Sequence, residues 1–183
     1  MTAIIIVVGL LFVLAAYVIS VYNKLIHARN KVENQFSQID IQLKRRADLI
    51  PNLVETVKGY AKHEEGTFTA VVEARNKALS AGSVNEKIEA NNELTGALNK
   101  LFALAESYPE LKANENFLAL QADLKDTEDK ITYARQFYND SAMQYNNLIQ
   151  VVPSNIVAGI FGFKKFEYFK ADEKEKEVPK VEF

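Results

Sequence analysis

QFSQIDIQLKRRADLIPNLVETVKGYA, residues 35–61, is the stretch that decides the fold. Starting from Val32, apolar or small residues recur at Phe36, Ile39, Leu43, Ala47, Ile50, Val54, Val57 and Ala61, always three or four apart. That spacing lays one stripe along an α-helix. Gly59 is the only glycine and Pro51 the only proline in residues 22–61. The stripe keeps its step across Pro51, so the pattern predicts one helix to about Lys62, kinked rather than ended there. Proline removes a backbone donor and strips the Ala47 carbonyl of its helical partner.

Upstream, residues 2–23 read TAIIIVVGLLFVLAAYVISVYN and contain no charged side chain. A bilayer core takes about 20 apolar residues at 1.5 Å each, so a transmembrane anchor is expected. A cleaved signal peptide would show a basic leader and a shorter apolar core. Tyr17 and Tyr22 suit an interface. Lys24, Arg29 and Lys31 follow the apolar run, and by the positive-inside rule they place the N-terminus outside and the remainder in the cytoplasm of a bacterial inner membrane.

Downstream, Phe68, Val71, Val72, Arg75 and Leu79 predict a short helix over residues 67–80, stopped by Ala81-Gly82. Ser83 and Glu86 have capping-box spacing and open a third helix bearing Ile88, Leu94, Leu98, Leu101, Phe102 and Ala105. Tyr108-Pro109 ends it, and Asn114 can cap a fourth. That fourth helix carries an unbroken stripe from Phe117 through Leu124, Ile131, Tyr138 and Tyr145 to Val152, closed by Pro153. The expected fold is all-α: a transmembrane helix continuous with an antiparallel four-helix bundle of two long and two short helices. The expected segments are an anchor at 2–23, the bundle at 24–152, an aromatic amphipathic membrane-proximal stretch at 153–169, and a disordered charged tail at 170–183.

Two blocks carry a family resemblance. SQIDIQLKRRADLIPNLVETVKGYAKHE (37–64) and ARQFYNDSAMQYNNLIQVVPSNIVAGIFGF (134–163) resemble the LemA family of bacterial membrane-anchored proteins. The resemblance implies a single anchor followed by a helical bundle. It implies no settled biochemical function.

The residues themselves argue against an enzyme. Cysteine is absent, which excludes disulfides and thiolate metal sites. His63-Glu64 begins like a zincin motif, but position 67 is Thr. Neither His27 nor His63 has Glu three residues before it, as a di-iron bundle requires. The seven glycines form no phosphate-binding or nucleophile-elbow pattern. No cofactor is expected. The formal net charge of −2 gives no reason to expect nucleic acid. Residues 24–63 hold eight basic and four acidic side chains, net +4, and this basic part adjoins the anchor, where anionic headgroups would meet it.

Two groups of candidate site residues remain. Tyr22, Lys24, Phe161, Phe163, Lys164, Lys165 and Phe166 are expected at the membrane interface, since aromatic and basic residues together suit it. The alternative is that these aromatics cap the bundle as ordinary core. Asn30, Asn34, Gln38, Lys44, Arg45 and Arg46 are candidate contacts to a partner protein or a second copy. Against that, Lys44 can pair with Asp40 and Asp48 along its own helix, and the amides of Asn23, Asn30, Asn34 and Gln38 can pair with those of Asn139, Asn146 and Asn147. The function these features suggest is a self-associating membrane scaffold whose partners are the bilayer, further copies and a membrane-associated protein. A sensor or adaptor hinged at Pro51 is the alternative.

Overall fold

The computed structural model describes residues 1–169, and among them every regular element is an α-helix. The helices are α1 (Thr2–Lys58), α2 (Glu65–Ser80), α3 (Val84–Ala105), α4 (Pro109–Lys112), α5 (Glu115–Leu148) and α6 (Ser154–Ile160). The expected tail at 170–183 lies outside the described residues. Two compact units form. One comprises Met1–Ile39 and Ala134–Glu167; the other is built on Asp40–Tyr133.

From Val32 to Val57 the stripe is the inner face of α1. Val32, Ile39, Ala47, Ile50, Val54, Val57 and Ala61 are buried, while Phe36 and Leu43 are half-buried. α1 stops at Lys58 rather than Lys62, because glycine at 59 favours a helix end and the next amides bond back to Glu55 and Val57. α5 ends at Leu148, four residues before the expected Val152, which is exposed. Proline at 153 disfavours helix in the residue before it, and the Ser154 hydroxyl donates toward the Leu148 and Val151 carbonyls at 2.6 and 3.0 Å. Two short helices went unexpected: α4, which opens on Pro109 at the position proline favours, and α6.

The core of the Asp40–Tyr133 unit gathers Ile50, Leu53 and Val57 of α1, Phe68 and Val71 of α2, and Leu94, Leu98 and Leu101 of α3. Leu111, Phe117 and Leu124 complete it. α2 lies rotated from the expected setting. Ala74 and Ala78 turn inward, whereas Val72 and Leu79 are 40% and 47% exposed. Alanine permits a close helix approach and carries little hydropathy signal, so the larger side chains misdirected the face.

The Pro51 problem has a specific solution. Arg75 of α2 donates its Nε–H to the Ala47 carbonyl at 2.8 Å, which is the acceptor that proline leaves without a donor four residues on. Ala47 is buried, so an empty carbonyl there would cost free energy. Helix α1 therefore runs through Pro51 without a break.

At the start of α3, Ser83 Oγ accepts from the Glu86 amide, and the Glu86 carboxylate accepts from the Ser83 and Gly82 amides, both at 2.9 Å. Asn114 caps α5 by accepting from the Phe117 amide.

Two outcomes follow. Arg75→Met leaves a buried carbonyl unmet and costs about 1–3 kcal/mol in urea unfolding. In a Pro51→Ala background the restored N–H at position 51 can reach Ala47, so the same substitution costs less, with a coupling of about 1 kcal/mol; additivity of the two changes would break the link. The second concerns pH. Amides at Ser83 and Gly82 hold the Glu86 carboxyl below its usual range, so its stabilisation is present above that range and is lost as pH falls through the lowered folded value. The protection of the Ser83 amide relative to its intrinsic exchange rate should fall on acidification in the wild type, and a Glu86→Gln variant should lose that fall.

Candidate membrane-proximal site

Residues 2–17 of α1 are exposed along their whole length, including Ile5, Leu10, Leu11, Phe12 and Val13. The segment is long and apolar enough to cross a membrane. A helix that buried a soluble core would hide this surface, whereas here the described residues cover almost none of it. Its helical backbone is satisfied internally, as a bilayer interior demands.

Burial begins where the charge-free stretch ends. Val18, Val21, Tyr22 and Leu25 of α1 pack with Val157 and Ala158 of α6, joined by Leu148, Ile149 and Phe163. Leu25, Val157 and Ala158 are buried. The Tyr22 ring lies 4.7 Å from Phe161 and 5.8 Å from Phe163, centroid to centroid, within the range of favourable tilted aromatic pairs. Of the seven expected interface residues, Tyr22, Phe161 and Phe163 thus meet directly. Lys24, Lys164 and Lys165 are exposed.

Phe166 is placed elsewhere. Its ring contacts Tyr145 at 5.1 Å, edge to face. Its backbone is held from both sides by one amide side chain: the Phe166 N–H donates to Asn146 Oδ1, and Asn146 Nδ2 donates to the Phe166 carbonyl, each at 2.9 Å. One residue on, Tyr138 donates its hydroxyl to the Glu167 carbonyl at 2.9 Å. Burial pushes the Tyr138 and Tyr145 phenols up. Phe166 is therefore half-buried against α5 rather than free for lipid. The expected partnership of Asn146 with the α1 amides gives way to this clamp, because a primary amide matches a peptide group donor for acceptor.

The chain reverses after α6 through Gly162, whose φ of +70° suits glycine. The Phe163 amide bonds to the Ala158 carbonyl and the Gly162 amide to Gly159, a Schellman closure. That turn brings Phe163 back under α6 and sends residues 164–167 along α5.

The expected partner contacts divide. Asn30, Asn34 and Gln38 are exposed on α1, beside an Arg29–Glu33 pair at 2.8 Å. Lys44 and Arg45 are exposed in the Asp40–Tyr133 unit, where Arg45 approaches Asp126 at 3.8 Å. Arg46 is not a surface contact: it is 3% exposed, bonds to Asn91 at 2.7 Å and pairs with Glu128. Asp40 pairs with Lys87 of α3 rather than with Lys44. Asn91, Asn146 and Arg75 are the consequential polar residues that sequence reasoning left unassigned or misassigned. Their helical position was the only signal, since Asn91 and Arg75 each fall on or beside an apolar stripe. Among the described residues, no three His, Cys, Asp or Glu side chains are grouped to hold a metal.

A family model described as the LemA family matches residues 35–183, beginning after the apolar segment. Magnetosome protein MamQ of Magnetospirillum gryphiswaldense is 28% identical over 174 residues, covering 81% of this chain and 64% of its own length. Magnetosome protein MamQ 1 of Paramagnetospirillum magneticum is 26% identical over 175 residues, with the same coverage of 81% and 64%. Protein LemA of Metamycoplasma hominis is 29% identical over 159 residues, covering 84% of this chain and 71% of its own. The chain spans 64% of the length of the magnetosome relatives, less than two thirds. None of these names denotes a reaction.

Asn146→Ala removes both bonds to the Phe166 backbone and costs about 1–3 kcal/mol. Limited proteolysis should then cut near Phe166 faster than in the wild type; an unchanged cleavage rate would contradict the clamp.

Proposed function

The chain belongs to the LemA family, and from this premise we propose that it is a non-enzymatic single-pass membrane protein that self-associates and organises membrane or partner proteins. One observation carries the reading. The exposed apolar segment and the folded chain belong to a single helix, Thr2–Lys58, with no breaker between them. Whatever the folded part does, it does on a stem that starts in lipid.

The finer features of the proposal follow. Residues 2–23 anchor the chain, residues 24–152 form an antiparallel four-helix bundle with α4 as a single-turn link, and residues 153–169 are membrane-proximal. Lys24, Arg29 and Lys31 favour a cytoplasmic bundle and an outward N-terminus in a bacterial inner membrane. Exposed amides at Asn30, Asn34 and Gln38, spaced four apart, offer polar contacts to a second copy. Exposed Lys44 and Arg45 offer a basic contact to an acidic partner; Arg46 is withdrawn from that role by its burial. A sensor hinged at Pro51 is the weaker reading, because Arg75 holds the carbonyl that proline frees.

The chain contains no cysteine, so single substitutions give clean probes. In native membranes, Asn34→Cys should give a disulfide-linked dimer on mild oxidation and Glu110→Cys should not. Monomer alone at position 34, together with monomer under a general amine crosslinker, would sink self-association. For orientation, Lys100→Cys should resist an impermeant maleimide in intact cells and react after lysis; labelling of intact cells would reverse the topology.

A further inference from the structure

The turn after α5 leaves a patch of apolar side chains exposed among the described residues. Val152 is 77% exposed, Ile156 60%, Ile160 71% and Phe161 52%. Ile156 and Ile160 lie one helical turn apart on α6, while Val157 and Ala158 on its other side are buried. A seven-residue helix has little stability alone, so α6 is held in place by that buried side.

Its seat fixes its height. Val157 and Ala158 pack on Val18, Val21 and Leu25, and the first charged residue of the chain is Lys24. The α6 patch is therefore carried at the level where the charge-free segment ends. Lys164 and Lys165, which follow the patch in sequence, are exposed, as is Lys24 beside Leu25, and no acidic residue occurs between Asp140 and Glu167. Exposed apolar side chains followed in sequence by two lysines, in a stretch without carboxylates, match the chemistry of an anionic lipid interface.

We propose that α6 is a second membrane contact, a short interfacial helix that seats Val152, Ile156, Ile160 and Phe161 among the lipids around the end of the anchor. The inference rests on the anchor reading and extends it. The occupant is the bilayer itself, because α6 is seated on Val18, Val21 and Leu25, at the end of the segment that the anchor reading places in lipid. Phe163 and Phe166 take no part, being committed to Tyr22 and Tyr145. Held at two points, the stem has its rotation and tilt fixed relative to the membrane plane.

The test uses full-length protein in vesicles of phosphatidylcholine and phosphatidylglycerol, with a spin label on one introduced cysteine at a time. Labels at Ile156→Cys and Ile160→Cys should be accessible to oxygen and shielded from a water-soluble nickel chelate, at a depth of about 5–10 Å. Glu110→Cys should report water, and Leu11→Cys the bilayer interior. If position 11 reads as lipid while 156 and 160 read as water, this inference fails and the anchor stands. If 156 and 160 exclude both reagents, a protein surface covers them and the inference also fails. If position 11 itself reads as water, the anchor reading fails and takes this inference with it.

Discussion

The constraint on which everything else depends is solvation of the first turns of α1. Their backbone is satisfied within the helix, and their apolar side chains find no cover in the protein. Leaving such a surface in water is opposed at about 25 cal/mol for each Å² of apolar area, whereas lipid removes the penalty. The position of that boundary orders the Met1–Ile39 and Ala134–Glu167 unit. Burial starts at Val18, the aromatic group forms at Tyr22, and the first charge appears at Lys24. The unit has a small apolar cluster of its own, with Leu25 at its centre.

The Asp40–Tyr133 unit faces a different problem, a proline inside a helix that must stay whole. Arg75 supplies the missing donor from α2. Arg46 is treated in a related way, with Asn91 and Glu128 converging on one buried guanidinium. A buried charge is tolerated only when paired and hydrogen-bonded. Here Glu128 remains about a third exposed, which lowers the cost of keeping its charge. Both arrangements use cations to hold helices together, and the burial of Arg46 leaves two exposed charges in the basic run at 44–46 rather than three.

Much of the fold was legible in sequence because helical stripes are local. The α1 and α5 faces follow the three-and-four spacing almost residue for residue, and the Ser83–Glu86 capping box and the Asn114 cap are carried by a few adjacent residues. What was not legible depends on residues far apart in the chain. Asn146 looked like any amide on a helix until the backbone of Phe166 came beside it. Arg75 was read only as a member of the α2 stripe, and its bond to the Ala47 carbonyl came from a residue 28 positions away. The aromatic stretch at 153–169 was read as one interfacial segment, yet it divides: Phe163 and Phe166 pack inside, and Phe161 stays half outside. Composition cannot make that division, because it turns on the Gly162 reversal.

On the reading proposed above, the apolar surface of α1 holds the chain in lipid. Alkaline carbonate extraction of native membranes tests it most directly, comparing the wild type with a Leu11→Lys, Leu14→Lys double variant. Each charge near the bilayer centre opposes insertion by about 2.5–3.5 kcal/mol. The wild type should stay with the membrane pellet, and the variant should move to the supernatant with its helical circular dichroism intact. Release of the wild type, or retention of the variant, would contradict it.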